Sequence, residues 1–170
     1  MEVKMKSQNQ KNKILIAYYS KTGSTRTVAE YIHQTAGGEL FEIKPAKSYP
    51  NEYRATTEIA RQEKETNARP GLVSNISNIA QYDVVFLGYP NWWSTMPMFV
   101  FTFLETHDLT GKTIIPFCTN GGGGAGHSFT DIQRLCPGST ILDGLAVRGG
   151  SVKSSENDIN AWLHRIGVTN

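Results

Sequence analysis

From position 13 onward the chain alternates short apolar runs with segments whose apolar residues recur at helical spacing. Residues 13–18 (KILIAY) are a continuous apolar run, as in a strand buried on both faces. Residues 25–36 place Val28, Ala29, Tyr31 and Ile32 on one helical face, and Gly37-Gly38 ends that helix. Residues 39–43 (ELFEI) alternate like an edge strand. Residues 51–67 are rich in Glu, Arg, Lys and Ala, with Arg61 and Glu65 at helical pairing distance, and predict a solvated helix. Residues 82–87 (YDVVFL) and 112–119 (KTIIPFCT) are further core strands. Pro116 has no N–H to give to a ladder, so a bulge or local irregularity is expected there. Between these two strands, residues 97–105 (PMFVFTFLE) predict a helix that is apolar nearly all round and opens on a proline suited to the first turn. Residues 127–136 set Phe129, Ile132 and Leu135 on one face before Pro137-Gly138 stops them. Residues 140–147 form a last strand. Residues 155–167 form a last helix, with Ser155 as its cap, Ile159, Trp162, Leu163 and Ile166 as its face, and Gly167 at its end.

Five strands alternating with five helices predict an α/β, three-layer fold: a five-stranded parallel sheet, order 2-1-3-4-5, with helices on both faces. A length of 170 residues, with 39% apolar and 10% aromatic residues, fits a single domain over 13–170. Ligands of such sheets bind at the carboxyl ends of the strands, near the switch point between strands 1 and 3. The loops after Tyr19, Leu87 and Thr119 are therefore the places to look.

Charge narrows the partners. The net charge is +2, but Lys4, Lys6, Lys11 and Lys13 against Glu2 give the first thirteen residues +3 and leave −1 for the rest. The basic balance belongs to residues 1–12, read as a disordered tail. The folded body lacks the clustered positive charge of a nucleic-acid-binding face. No stretch has the length of a membrane span, and the run after the tail is too short for an export signal. A cytoplasmic protein is expected. Cys118 and Cys136 could pair, but without an export signal two reduced packing thiols are expected.

The first loop, Ser20-Lys21-Thr22-Gly23-Ser24-Thr25, offers four hydroxyls and a run of backbone N–H groups at a helix N-terminus. It reads either as an anion site or as a hydroxyl-rich helix cap, and its place after strand 1 favours the anion. It is not a Walker A loop, since the G-x-x-x-x-G-K-S/T spacing is missing. The second loop, residues 88–97, carries Trp92 and Trp93 side by side. Packing explains one of them easily and both poorly, whereas a planar heteroaromatic ligand would gain about 0.5–1.5 kcal/mol by stacking. The third, residues 119–126 (TNGGGGAG), permits close backbone approach. Gly121, Gly123 and Gly126 with Asp143 imitate a dinucleotide fingerprint, but after the fourth strand, which is the wrong place for one.

At these loops the chain resembles the flavodoxin family. Ser20 to Thr25 match in full the S/T-x-T-G-x-T form of that family's phosphate loop. Gly88-Tyr89-Pro90-Asn91-Trp92 matches the G-x-S/P-x-W that often follows its third strand. The resemblance spans essentially all of 13–167 and implies non-covalently bound FMN. Ser20, Lys21, Thr22, Gly23, Ser24 and Thr25 would hold the phosphate. Trp92 would stack on the isoalloxazine; Pro90, Asn91 and Trp93 would offer backbone groups to the ring edge; Thr119, Asn120, Gly121 and Gly122 would contact the pyrimidine end. The implied function is electron transfer through FMN, to a redox partner protein or a small quinone-like acceptor. The alternative on the same fold is an FMN-dependent NAD(P)H:quinone reductase.

Three departures from the family bear on that choice. The body is near neutral, whereas electron-shuttling flavodoxins are usually strongly acidic, so a milder reductant is expected. The strand-4 loop has no aromatic residue where flavodoxins commonly place a Tyr, which leaves the outer flavin face open. Trp93 stands where a small residue is common. If reduction requires φ > 0 there, its Cβ adds about 1–2 kcal/mol and disfavours the semiquinone, hence one-electron chemistry. His33, His107, His127 and His164 show no metal-ligand spacing. His127 and Arg148 lie near the expected site but read as solvated surface residues.

Overall fold

The computed structural model describes residues 12–170. The tail lies outside the described residues, Asn12 excepted. The elements run β1 (Ile14–Tyr18), α1 (Ser24–Ala36), β2 (Glu39–Glu42), α2 (Tyr53–Glu65), β3 (Val84–Pro90), α3 (Met98–Thr106), β4 (Thr113–Asn120), α4 (Ser128–Leu135), β5 (Thr140–Ile141), β6 (Leu145–Arg148) and α5 (Glu156–Arg165). The strands are all parallel, in the order β2-β1-β3-β4-β5, with β6 continuing beside β4. This is the expected 2-1-3-4-5 sheet, with the fifth strand in two pieces.

Alternation along β1 shows how the layers form. Leu15 and Ala17 enter one core with Phe99 and Phe103 of α3 and Ile132 of α4. Ile16 and Tyr18 enter the other with Val28 and Ile32 of α1 and Ile159 and Trp162 of α5. Strands buried on both faces explain the unbroken apolar runs. The solvated helix also forms: Arg61 pairs with Glu58 and, at 2.6 Å, with Glu65.

Pro116 has a different consequence from the one expected. β4 itself is regular, and its register with β3 runs unbroken from Thr113 to Thr119. The irregularity lies in the next strand. Ile114 pairs with Ile141 but Phe117 pairs with Leu145, so one extra residue is accommodated between β5 and β6. The Pro116 carbonyl lies 2.8 Å from the point where a Cβ on Gly144 would sit, which puts the proline's donor-less edge toward this break. The missing N–H thus bulges the neighbour rather than the strand that carries it. Ser155 also differs: its hydroxyl donates to the Val152 carbonyl at 2.6 Å and makes no cap bond to α5. Cys118 and Cys136 are free and buried, and burial pushes their thiols up to about 12 and about 11.

Candidate functional site

The apolar run of β1 ends at Tyr19, and the hydroxyl-rich loop follows at the carboxyl edge of the sheet. Gly23, at φ +102°, is the N-cap of α1, a conformation a side chain would strain. The Ser20 hydroxyl accepts from the Gly23 N–H at 3.0 Å, and the Thr27 hydroxyl donates to the Gly23 carbonyl at 3.0 Å. The loop is therefore closed by its own side chains. The first-turn amides of α1 have no acceptors within the helix, and beyond the adjoining chain nothing lies within 4 Å of where a Cβ on Gly23 would point. Amides, exposed Thr22, and half-buried Lys21 and Ser24 form a donor set that suits a phosphate. Thr25 differs from its neighbours. It is buried, its hydroxyl lies 2.7 Å from that of Thr119, and it ties the loop to the end of β4.

Pro90 closes β3 opposite Thr119, and the Asn91 N–H donates to the Thr119 carbonyl at 2.8 Å. The chain then turns on Trp93 (φ +57°) and Ser94 (φ +71°), with the Trp92 N–H donating to the Thr95 carbonyl at 2.8 Å. Both central residues are left-handed, the geometry of a type I′ turn that usually takes Asn-Gly. The Asn91 side chain braces the turn, accepting from the Ser94 N–H and donating to the Gly124 carbonyl, each at 2.8 Å.

The two tryptophans part company. Trp92 stands edge-on to Tyr19, Tyr49 and Phe99, with ring centroids 5.6, 5.1 and 6.2 Å away. Trp93 turns outward to α2. Its indole N–H donates to the Thr57 carbonyl at 2.9 Å, and its own carbonyl accepts from the Lys64 ammonium. One expectation for Trp93 changes: the cost of reaching φ > 0 is already met by the fold. The tight turn therefore no longer argues for two-electron over one-electron chemistry. Tyr49, whose hydroxyl donates to Glu63 at 2.6 Å, lies in the β2–α2 connection; the sequence carried no signal for it. Tyr19, directly after the β1 run, could have been found from its position. Burial raises the pKa of both phenols, for Tyr49 with help from the Glu63 carboxylate, so both remain donors.

The third loop docks on this turn. Gly126, at φ +58°, approaches so closely that a Cβ would lie 2.2 Å from the Ser94 carbonyl oxygen, and the His127 N–H donates to that oxygen at 2.7 Å. Asn120 is buried; its side chain donates to the Val147 carbonyl at 3.2 Å and accepts from the Gly122 N–H at 2.8 Å. Gly121, Gly122 and Gly123 are exposed, and the loop from Thr119 to Gly126 carries no aromatic residue. Arg148 lies across Gly122, and Gly149 lies beside Ser24. His127 is backed by Asp131: Nδ1 is 2.7 Å from Asp131 Oδ2, which also accepts from the Thr95 hydroxyl at 2.5 Å. Burial alone would raise the Asp131 pKa, but hydrogen bonds from Thr95, His127 and Arg134 outweigh it and hold the carboxyl below the usual range. His107 is a structural pin: it is buried, accepts from the Ile76 N–H at 3.0 Å and touches the Phe103 carbonyl at 2.9 Å. Among the described residues no cluster of His, Cys, Asp or Glu could hold a metal ion, and no helix is long and apolar enough to cross a membrane.

An open parallel sheet with an anion-ready loop and an aromatic turn at its carboxyl edge defines a doubly wound α/β cofactor-binding domain. More particularly, the chain belongs to the flavodoxin family, whose model, described as "Flavodoxin", matches residues 13–166. It is 38% identical to a candidate flavoprotein from Bacteroides eggerthii, over 91% of this chain and 97% of that one, with a TM-score of 0.77. It is 30% identical to a candidate flavoprotein from Bacteroides uniformis, over 89% and 99% of the two chains, with a TM-score of 0.75. A flavoprotein from Lactobacillus acidophilus, solved in complex with FMN, shares 24% identity over 86% and 99%, with a TM-score of 0.69. No curated protein sequence matches the chain.

Proposed function

We propose that this chain binds FMN non-covalently and transfers electrons through it. One observation carries the proposal. The donor-rich loop 20–25 and the aromatic turn 91–95 stand at the ends of adjacent strands, and Thr25 and Thr119 join that loop to β4. A phosphate and a planar ring would thus be held within one ligand's length. The family membership and the FMN complex of the Lactobacillus acidophilus relative support the same cofactor. In this reading the loop amides with Thr22, Ser24 and Lys21 take the phosphate. Trp92, fixed by Tyr19, Tyr49 and Phe99, walls the ring, and Asn120, Gly121 and Gly122 border its far end. Bound FMN supplies one- or two-electron redox chemistry; the protein supplies position and a largely neutral field.

The test is reconstitution. The protein should take up one FMN with loss of flavin fluorescence, bind riboflavin far more weakly, and pass electrons from a photoreductant to an acceptor. Equal affinity for FMN and riboflavin would overturn the phosphate assignment. A second reading, reduction of a small quinone by an NAD(P)H-dependent enzyme, is favoured by the exposed glycine loop, which carries no aromatic cover over the site. Quinone-dependent NADPH oxidation by the holoprotein would distinguish it from exchange with a redox partner protein.

A further inference from the structure

We propose that His127 is the proton donor for a small quinone reduced at this site, with Asp131 the residue that positions it; this rests on the FMN reading and on the quinone-reduction reading above. Place comes first. His127 ends the glycine loop and begins α4, and its N–H is bonded to the Ser94 carbonyl at 2.7 Å. It is therefore anchored to the turn that follows Trp92.

Orientation comes second. An ionised carboxylate can only accept, so the 2.7 Å contact with Asp131 Oδ2 puts a proton on His127 Nδ1. Nε2 is left as the position where a proton comes and goes. The side chain of His127 is 51% exposed, while that of Asp131 is 12% exposed. A freely rotating surface imidazole would need no such backing. Asp131 is itself fixed, by the Thr95 hydroxyl and, at 3.3 Å, by Arg134. Arg134, on α4 like Asp131, is a charged neighbour of the pair. The turn offers the Thr95 hydroxyl and the Ser94 carbonyl, and the preceding loop offers glycines and Ala125. One carboxylate that anchors the turn and orients a histidine is the arrangement of a positioned acid–base group.

When bound and reduced, FMN supplies two electrons and one proton to the quinone. The second proton comes from Nε2–H of the His127 imidazolium and completes the hydroquinone. The imidazole left neutral recovers its proton from water, and a two-electron donor of the reduced nicotinamide class restores the cofactor.

The experiment uses FMN-loaded protein, photoreduced without oxygen and mixed with 1,4-naphthoquinone from about pH 5 to about pH 8. Wild-type reoxidation should slow as the pH rises. His127→Gln should be roughly 10²-fold slower at the acid end and flat with pH, with its FMN affinity and visible spectrum unchanged. Nitrogen-15 spectra of the neutral His127 ring should show the proton on Nδ1, moving to Nε2 in Asp131→Asn, where the amide can donate. Identical rates and pH profiles in wild type and His127→Gln, both holding FMN, would overturn the role of His127 alone. So would a wild-type ring with its proton on Nε2. A wild-type protein that takes up no FMN would overturn the cofactor reading itself.

Discussion

The loop of residues 20–25 and the turn of residues 91–95 follow neighbouring strands at the same edge, yet they depend to different degrees on distant residues. The loop is closed mainly by near neighbours: Ser20 and Thr27 bond to Gly23, and Thr25 adds a contact to Thr119 of β4. The turn has local bonds from Trp92 and Asn91 but leans also on distant residues: Thr57 and Lys64 of α2, the carbonyl of Gly124, and the close approach of Gly126. On the proposed reading, phosphate recognition would be a largely local property, whereas the aromatic wall would be a tertiary one. Substitutions far from the site should disturb the second and spare the first.

The largest expected break follows from that asymmetry. Gly126→Ala puts a Cβ 2.2 Å from the Ser94 backbone oxygen at a φ of +58°. Backbone cannot give way as a flexible side chain would, so the glycine loop should lift off the turn. A loss on the order of 3 kcal/mol in urea unfolding is expected. The preference for FMN over riboflavin should survive, because loop 20–25 is untouched. An unchanged urea midpoint would mean that the two loops are not docked.

The second break is the converse. Thr22→Ala with Ser24→Ala removes hydroxyls from the loop but leaves the Thr25–Thr119 contact in place. Two charge-assisted hydrogen bonds lost should weaken FMN by about 10²-fold, with riboflavin affinity and the unfolding midpoint little moved. Parallel losses for both ligands in calorimetry would place the phosphate elsewhere.

The same asymmetry explains what could be read from the sequence. The loop announces itself in six consecutive residues, and the strand order follows from strict alternation of apolar runs. Trp92 and Trp93 were visible as a pair, but their opposite fates depend on Tyr49, Thr57 and Lys64, which are 43, 36 and 29 positions away. Nothing local encodes that. Pro116 was legible as a ladder defect, but which strand absorbs the defect depends on which side its missing N–H faces.

A smaller effect should appear with pH. The Asp131 carboxyl, drawn below its usual range in the fold, contributes stability that is complete above the unfolded value of about 3.9 and is lost as the pH falls toward the lower folded value. Urea midpoints should therefore decline from about pH 5 to about pH 3 in wild type and decline less in Asp131→Asn, which has no proton to take up. Parallel declines would show that other carboxylates govern the acid limb.

The smallest effect tests whether the strain of the turn is separable from its anchoring. Ser94 sits at φ +71° and uses its backbone N–H and carbonyl for its bonds to Asn91 and His127. Glycine keeps both. Relief of about 1–2 kcal/mol of left-handed strain, less the added freedom of the unfolded chain, leaves Ser94→Gly more stable by roughly 0.5 kcal/mol. Trp93→Gly relieves similar strain at φ +57° but gives up the indole bond to Thr57, so it should be less stable than wild type. Opposite signs for adjacent glycine substitutions in one turn, read as shifts of the thermal midpoint, would show that Trp93 is retained for its grip on α2. Stabilisation by both would mean that the outward indole contributes nothing and that the turn is held by Asn91 and the glycine loop.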